Sequence, residues 1–439
     1  MNTISTHYID GAFVASHGRE VLDLINPTDG TLIGQVKLAD EEDARRAIGA
    51  AKRAFTTFGR TTKEERLTYL RQLCAAVSTR LDDLTAAMVR EYGGGVQFAA
   101  PIVQAGASAF LAAGKALEEL PLTRSWGVTT VTLEPVGVAG LITPWNANTL
   151  FLCAKLSSAV AAGCTVVMKP TELSALQTQV WLECVHEARL PKGVCNVVTG
   201  RGDVVGAELV RNPDVAKISF TASAGVGKSI MRDGAATMKR VTLELGGKSP
   251  NILLDDADLD EAIPKALGIA FLNSGQACAA GTRLLVPKSR LDAVKRAIVD
   301  TMPAFQVGDP ADPKTAVGPM VTEKQYERVQ SYIRKGIAEG AEVLVGGEGH
   351  PRGLEAGHFR EARGVFANDT DFGLHAFVSG TDVPRARRVA SQILAGRVAI
   401  NGMLDDQQAP FGGFKHSGVG REFGTFGIEA FLEPRAILQ

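Results

Sequence analysis

Apolar positions recur at helical spacing through the first hundred residues. The run DEEDARRAIGAAKRAF (40–55) has an acidic start and a basic finish, which suit a helix dipole. TKEERLTYLRQLCAAVSTRLDDLTAAMVREYG continues in the same manner to Gly93. This spacing predicts a helical lead-in over the first hundred residues. From about residue 136 the period changes. VGVAGLIT (136–143), TVVMK (165–169), VCNVVTG, VAKISFT (215–221), VTLEL (241–245) and NILLDD (251–256) read as buried strands. Helical segments such as LQTQVWLECVHEA and GVGKSIMRDGAA separate them. Alternation at this length predicts a doubly wound parallel sheet of Rossmann-like type, which binds ligands at the carboxyl ends of its strands. DAVKRAIVDTM, EKQYERVQSYIRKGIAEG and PRARRVASQILAG carry the α/β character onward, predicting a second α/β domain entered near residue 247.

Composition narrows the partners. The 439 residues suffice for two or three domains, with 45% hydrophobic and 22% charged residues. A formal net charge of −1 argues against nucleic acid or an anionic membrane surface as the main partner. The longest apolar tract, VGVAGLITPWNANTLFLCAKLSSAVAAG, is broken by Pro144, Asn146, Asn148 and Lys155, which a membrane span would not tolerate. MNTISTHYIDGAF has neither the basic start nor the apolar core of a targeting signal. The six cysteines show no metal-type spacing, and five lie in apolar segments as buried, reduced thiols. A cytoplasmic location without a metal is the simplest account.

Candidate chemistry collects at the predicted strand ends: TPWNAN (143–148), PTE (170–172), ASAGVGKS (222–229), GGKSPN and, after a helix, GQACAAG (275–281). Taken alone, ASAGVGKS is a relaxed phosphate-binding loop with Lys228 in the reactive position, and NILLDD would supply a magnesium carboxylate. That reading gives a nucleotidase. Taken together with NPTDGTLIGQV, KPTE, LELGGKSP, GQAC and NGMLDDQQAPFGGFKHSGVGRE, the chain resembles the NAD(P)-dependent aldehyde dehydrogenase superfamily from about residue 8 to its end.

The resemblance implies an α/β fold with a doubly wound cofactor domain (1–115 and 136–246) and an α/β catalytic domain (247–423). Segments 116–135 and 424–439 would form a small β arm pairing subunits into a homodimer or homotetramer; TRSWGVTTVTLEP (123–135) alternates like an exposed strand. Oxidation of an aldehyde needs a nucleophile, and a thiolate at Cys278 among small residues serves. The resemblance assigns the oxyanion to the Asn146 amide and the Cys278 N–H. It makes Glu244 the base that activates water against the thioester formed from the thiohemiacetal. Thr143, Trp145, Lys169, Glu172, Ser223, Gly225, Leu245 and Gly246 match cofactor contacts, with Lys228 inside a helix and facing solvent. A carboxylate at Glu172 favours ribose hydroxyls and repels a 2′-phosphate, so NAD is expected over NADP. Ala147, Leu150, Phe151 and Ala154 share one helix face, implied to line a roomy apolar tunnel for a medium or bulky aldehyde. Asn146 as a helix cap and the alanine face as plain packing are the simpler alternatives. His416 reads as a loop residue, and Asp405 and Asp406 as loop carboxylates near the tunnel mouth.

Three departures from the family stand out. Ala222 replaces a glycine of the cofactor loop, and Ala147 and Asn148 replace an aromatic and a proline. Most notably, only REARGVFA separates Phe359 from Asn368, where the family carries several strands and a Glu-Glu-x-Phe-Gly-Pro motif that clamps the nicotinamide ribose. Either the chain has lost that segment or the sequence as given omits it. A true loss implies a relative that binds dinucleotide without efficient turnover. Ester or thioester hydrolysis at Cys278 without a cofactor is a further alternative.

Overall fold

The computed structural model describes residues 3–349, 367–403 and 406–438. At its centre five parallel strands lie in the order Arg240–Leu245, Val215–Ala222, Val138–Ile142, Thr165–Lys169 and Cys195–Val197. Val138–Ile142 and Thr165–Lys169 are buried at every residue, as strands covered by helices on both faces must be. Antiparallel strands flank them: Gly418–Val419 beyond Arg240–Leu245, and the hairpin Thr6–Ile9 with Ala12–Ala15 beyond Cys195–Val197.

That hairpin corrects the helical lead-in. Five strands occupy residues 3–37, and helices begin only at Glu41. Asp10 and Gly11 both take positive φ (55° and 79°), the two-residue turn that Asp-Gly favours between paired strands. The helical reading does hold from Asp40, whose carboxylate caps Glu41–Phe58 by accepting from Glu42 and Asp43 N–H. Lys63–Ser78 opens with a reciprocal cap between Thr62 and Glu65.

Val96–Glu119 is long and apolar enough to cross a membrane by length and composition. Here it packs against Lys63–Ser78 and Asn148–Ala162 and buries Val103, Phe110 and Leu117 completely. Gly106 permits the close crossing, since a Cβ there would sit 3.2 Å from the Leu150 Cα.

A second sheet carries Arg283–Leu285, Pro250–Leu253, His375–Ser379 and Arg397–Ile400 in that order, all parallel. Its core includes Leu253, Ile263, Leu267 and Ile298. A third sheet pairs Leu432–Ile437 with Thr129–Pro135 and that with Thr123–Trp126. The single strand expected over 123–135 is therefore a hairpin, turned at Gly127 (φ 59°). The architecture is the expected one: a doubly wound sheet, a second α/β sheet and a small β arm. Gly418–Val419, sequentially late, crosses back to the first sheet, so the sequence order of the units is not respected at that edge.

Candidate active site

Strand order locates the site. From Val138–Ile142 the chain builds outward to Thr165–Lys169 and Cys195–Val197, then returns to place Val215–Ala222 and Arg240–Leu245 on the other side. The order thus reverses between Val138–Ile142 and Val215–Ala222, and the crevice at the carboxyl ends of these two strands is where such sheets bind ligands. Thr143, Trp145 and Asn146 leave the first strand, and Ser223 and Gly225 follow the second. Lys169 and Glu172 end the neighbour on one side, Leu245 and Gly246 that on the other.

The groups there suit a dinucleotide. Ser223 precedes the helix Ala224–Gly234 without a side-chain cap bond, so the first-turn N–H groups are left for an anion. A Cβ at Gly225 or Gly246 would meet nothing within 4 Å, so open space lies over both. Ala222 is itself exposed. Thr143 Oγ1 donates to Asn148 Oδ1 at 3.4 Å, and Trp145 packs on Tyr92 with ring centroids 5.5 Å apart. Lys169 Nζ lies 3.0 Å from Glu172 Oε2, while Arg201 approaches Glu172 Oε1 at 3.8 Å and bonds Glu20.

Lys228 is exposed in mid-helix, and only Ser223 separates the strand ending at Ala222 from the helix beginning at Ala224. A phosphate-wrapping loop has no length there. Asp255 instead pairs with Arg385, and Asp256 accepts from Thr381 Oγ1 and Asp382 N–H. These placements remove the basis for the nucleotidase.

The nucleophile candidate sits on a forced turn. Asn273, Ser274 and Gly275 are consecutively left-handed (φ 54°, 57° and 73°), a conformation costing about 1–2 kcal/mol at each of the first two. Asn273 Nδ2 donates to the Asn146 carbonyl at 2.7 Å, and Asn146 Nδ2 donates to the Gln276 carbonyl at 2.8 Å. The Asn146 amide therefore points at the cysteine turn. The helix Asn148–Ala162 has Ala147 at its cap position, with no side-chain cap bond, so capping is not the role of Asn146. The Cys278 N–H makes no hydrogen bond to another backbone carbonyl among the described residues. Against this turn runs Gly247, where a Cβ would stand 3.2 Å from the Cys278 carbonyl oxygen.

Glu244 closes the set. It ends a buried strand opposite Thr221 and Gly418, is 2% exposed, and neither carboxyl oxygen has a hydrogen-bond partner among the described residues. Gly412 walls it in, since a Cβ there would lie 2.7 Å from Oε1. Burial, with Glu422 adding repulsion, holds the carboxyl well above the usual carboxylate range, opposed by Lys155, Arg421 and Arg397. Burial likewise pushes the Cys278 thiol up to about 11, and the nearby Glu244 and Glu422 add to it. The Cys278 thiol thus rests protonated at neutral pH.

The sequence likeness decides the family. A profile of the aldehyde dehydrogenase family matches residues 13–363 and 364–437, dividing within the shortened stretch. The chain belongs to the aldehyde dehydrogenase family. It is 41% identical to 3-succinoylsemialdehyde-pyridine dehydrogenase of a Pseudomonas species, with 98% of each chain covered. That alignment spans 465 positions, more than the 439 residues here, so the relative carries residues without counterparts in this chain. Among solved structures, aldehyde dehydrogenase C of Pseudomonas syringae, a cysteine-to-alanine variant with NAD+ and octanal, superposes with a TM-score of 0.95. It is 37% identical, covering 99% of this chain and 96% of that one. An NADP-dependent enzyme of Escherichia coli is 33% identical with a TM-score of 0.93, covering 99% and 98%. Membership of the family supports aldehyde oxidation as the activity.

Other expectations fare variously. His416 is an exposed loop residue, its ring 3.9 Å from the Asp371 carboxylate. Asp406 is exposed and accepts from the Gln408 N–H, whereas Asp405 and the link from Gly357 through residue 366 lie outside the described residues. Ala147 and Ala154 are buried and Leu150 and Phe151 half-buried; Leu150 also rests on Gly106, so part of that face is helix packing. Sequence reasoning missed the buried group beside Glu244. Lys155 Nζ donates to Ser219 Oγ at 2.9 Å and pairs with Glu422, which also accepts from Ser219 Oγ at 3.0 Å. Lys155, a cation inside an apolar helix, was the visible signal: a buried charge needs a buried partner.

Proposed function

We propose that this family member oxidises a medium or bulky aldehyde to its carboxylic acid with NAD, through Cys278, Glu244 and Asn146. The observation that carries the reading is Glu244: a sealed carboxyl without a hydrogen bond is costly to keep and is of use only as a proton acceptor beside the reacting atoms. Cys278 Sγ adds to the aldehyde carbon, and its proton leaves to solvent. The oxyanion of the thiohemiacetal takes hydrogen bonds from Asn146 Nδ2 and the Cys278 N–H. A dinucleotide held by the eight strand-end residues supplies the hydride acceptor. Glu244, ionised, then takes a proton from water as that water attacks the thioester, releasing the acid and restoring the thiol.

Glu172 favours NAD. A second reading, NADP, is supported by Lys169 and Arg201, two cations beside the same carboxylate. The small residues Ala147 and Ala154 favour substrate breadth, in line with the pyridine semialdehyde and octanal named for relatives. We also take residues 1–115 and 136–246 as the cofactor unit and 247–423 as the catalytic unit. The exposed β arm, with Trp126 and Val128 bare, would pair subunits, which light scattering of the intact chain tests by mass.

Calorimetric titration with NAD and NADP, followed by an aldehyde screen monitored by NADH absorbance, tests the reading. Cys278→Ser should abolish turnover and leave NAD affinity intact, while Lys228→Ala should leave both within about twofold. NAD binding with no turnover of any aldehyde would instead favour a relative impaired by its shortened segment.

A further inference from the structure

Gln276 joins the two groups assigned to the oxyanion. Its backbone carbonyl accepts from Asn146 Nδ2 at 2.8 Å, two residues before Cys278. Its side-chain amide bonds at both ends, donating to Pro319 O at 3.0 Å and accepting from Val321 N at 3.1 Å. Ser274 Oγ accepts from Gly318 N at 2.8 Å. Residues 318–321 are buried, and they hold the left-handed turn at three points. An amide nitrogen has two hydrogens. The Gln276 carbonyl takes one from Asn146, which fixes the nitrogen rather than the oxygen toward the turn and leaves the second hydrogen for the substrate.

We propose that Gln276 is a positioning residue for the oxyanion site: its side chain pins the turn to residues 319–321, and its carbonyl thereby aims Asn146. The proposal rests on the roles given above to Cys278 and Asn146. A displacement of about 1 Å in such a site costs on the order of 10²-fold in rate. Gln276→Met removes both side-chain hydrogen bonds at similar volume. It should lower kcat about 10²-fold while the calorimetric Kd for NAD changes little, and the unpartnered Pro319 carbonyl and Val321 N–H should lower the melting temperature modestly.

Gln276→Glu supplies a signature that loosened packing would not. A protonated carboxyl can still donate to Pro319 O and accept from Val321 N, whereas the ionised form faces the Pro319 carbonyl with no donor. The activity of Gln276→Glu relative to wild type should therefore rise as pH falls, while that of Gln276→Met stays flat. A Gln276→Met enzyme within twofold of wild-type kcat overturns the proposal, as does an equal loss of NAD affinity. If Gln276→Met does not fold, the Glu ratio decides: a rise supports the proposal and a flat line overturns it. If the wild-type chain oxidises no aldehyde, the proposed function fails separately. The same variants are then compared in Cys278-dependent ester hydrolysis, which passes through the same oxyanion.

Discussion

Two of the carboxyl groups buried in this molecule, Glu91 and Glu244, are treated differently by their surroundings. Glu91, 4% exposed on the helix Leu81–Tyr92, accepts from the N–H groups of Leu176 and Gln177 at 2.7 and 3.1 Å. These belong to the first turn of the helix Ala175–Glu187, where orphan donors and the positive end of the dipole welcome a carboxylate. Burial raises its pKa, but the donors hold it to about 8. Glu244 has no donors, and burial carries it well above the usual range. Glu91 uses its carboxyl oxygens to fix the helix that follows Lys169 and Glu172. Glu244 has no structural contact for its charge, which leaves it to the chemistry.

The largest effects should separate the two residues outright. Glu244→Gln removes the proposed base and should lower steady-state turnover by roughly 10²–10⁴-fold while leaving a burst of NADH, because acylation precedes the step that needs a base. Absence of a burst, with turnover unchanged, would show that Glu244 is only a filled cavity. Acidity sharpens the same point. Cys278 rests protonated, so the rate of its alkylation by iodoacetamide should keep climbing from pH 8 to 10. The kcat/KM profile should climb with it. A plateau below pH 8 would mean that the thiol is not held up.

Stability should move in opposite directions. Glu91→Ala leaves the Leu176 and Gln177 N–H groups buried without an acceptor and should cost about 2–4 kcal/mol, read as a lower melting temperature. Glu244→Met removes a polar group that has no hydrogen bond and should stabilise by about 1–2 kcal/mol while abolishing turnover. Equal shifts for the two variants would erase the distinction.

This difference explains what the sequence made legible. The parallel strands showed as short apolar runs, and Cys278, Asn146 and Glu244 as motifs at their ends. Their neighbours did not show. Lys155, Ser219 and Glu422 meet across up to 267 residues of chain, and Gln276 reaches Val321 across 45. Such pairings depend on strand order and crossover, which local periodicity does not encode. The hairpin at Asp10-Gly11 leaves no mark in helical periodicity; its local signal is the two-residue Asp-Gly turn itself. Glu91 reads as an ordinary polar position late in an amphipathic helix, and only the arrival of another helix terminus makes it structural.

The last predicted effect turns the comparison into a titration. Glu91 in the folded chain keeps its proton to about pH 8, whereas an ordinary Glu releases it near 4.5. Between those values the folded state binds more protons than the unfolded one, so this group's contribution to stability is full below about pH 4.5 and is lost as pH rises through 8. The slope from one such group is at most about 1.4 kcal/mol per pH unit. Glu91→Gln keeps the shape without the proton and should flatten urea-derived stability over that window, at the cost of one acceptor. Glu244→Gln should flatten it too, with no hydrogen-bond donor to limit the upward shift of that carboxyl. Should both variants flatten the same window, the hydrogen bonds to Glu91 would have no effect on its acidity, and the contrast between a held carboxylate and a reserved one would fail.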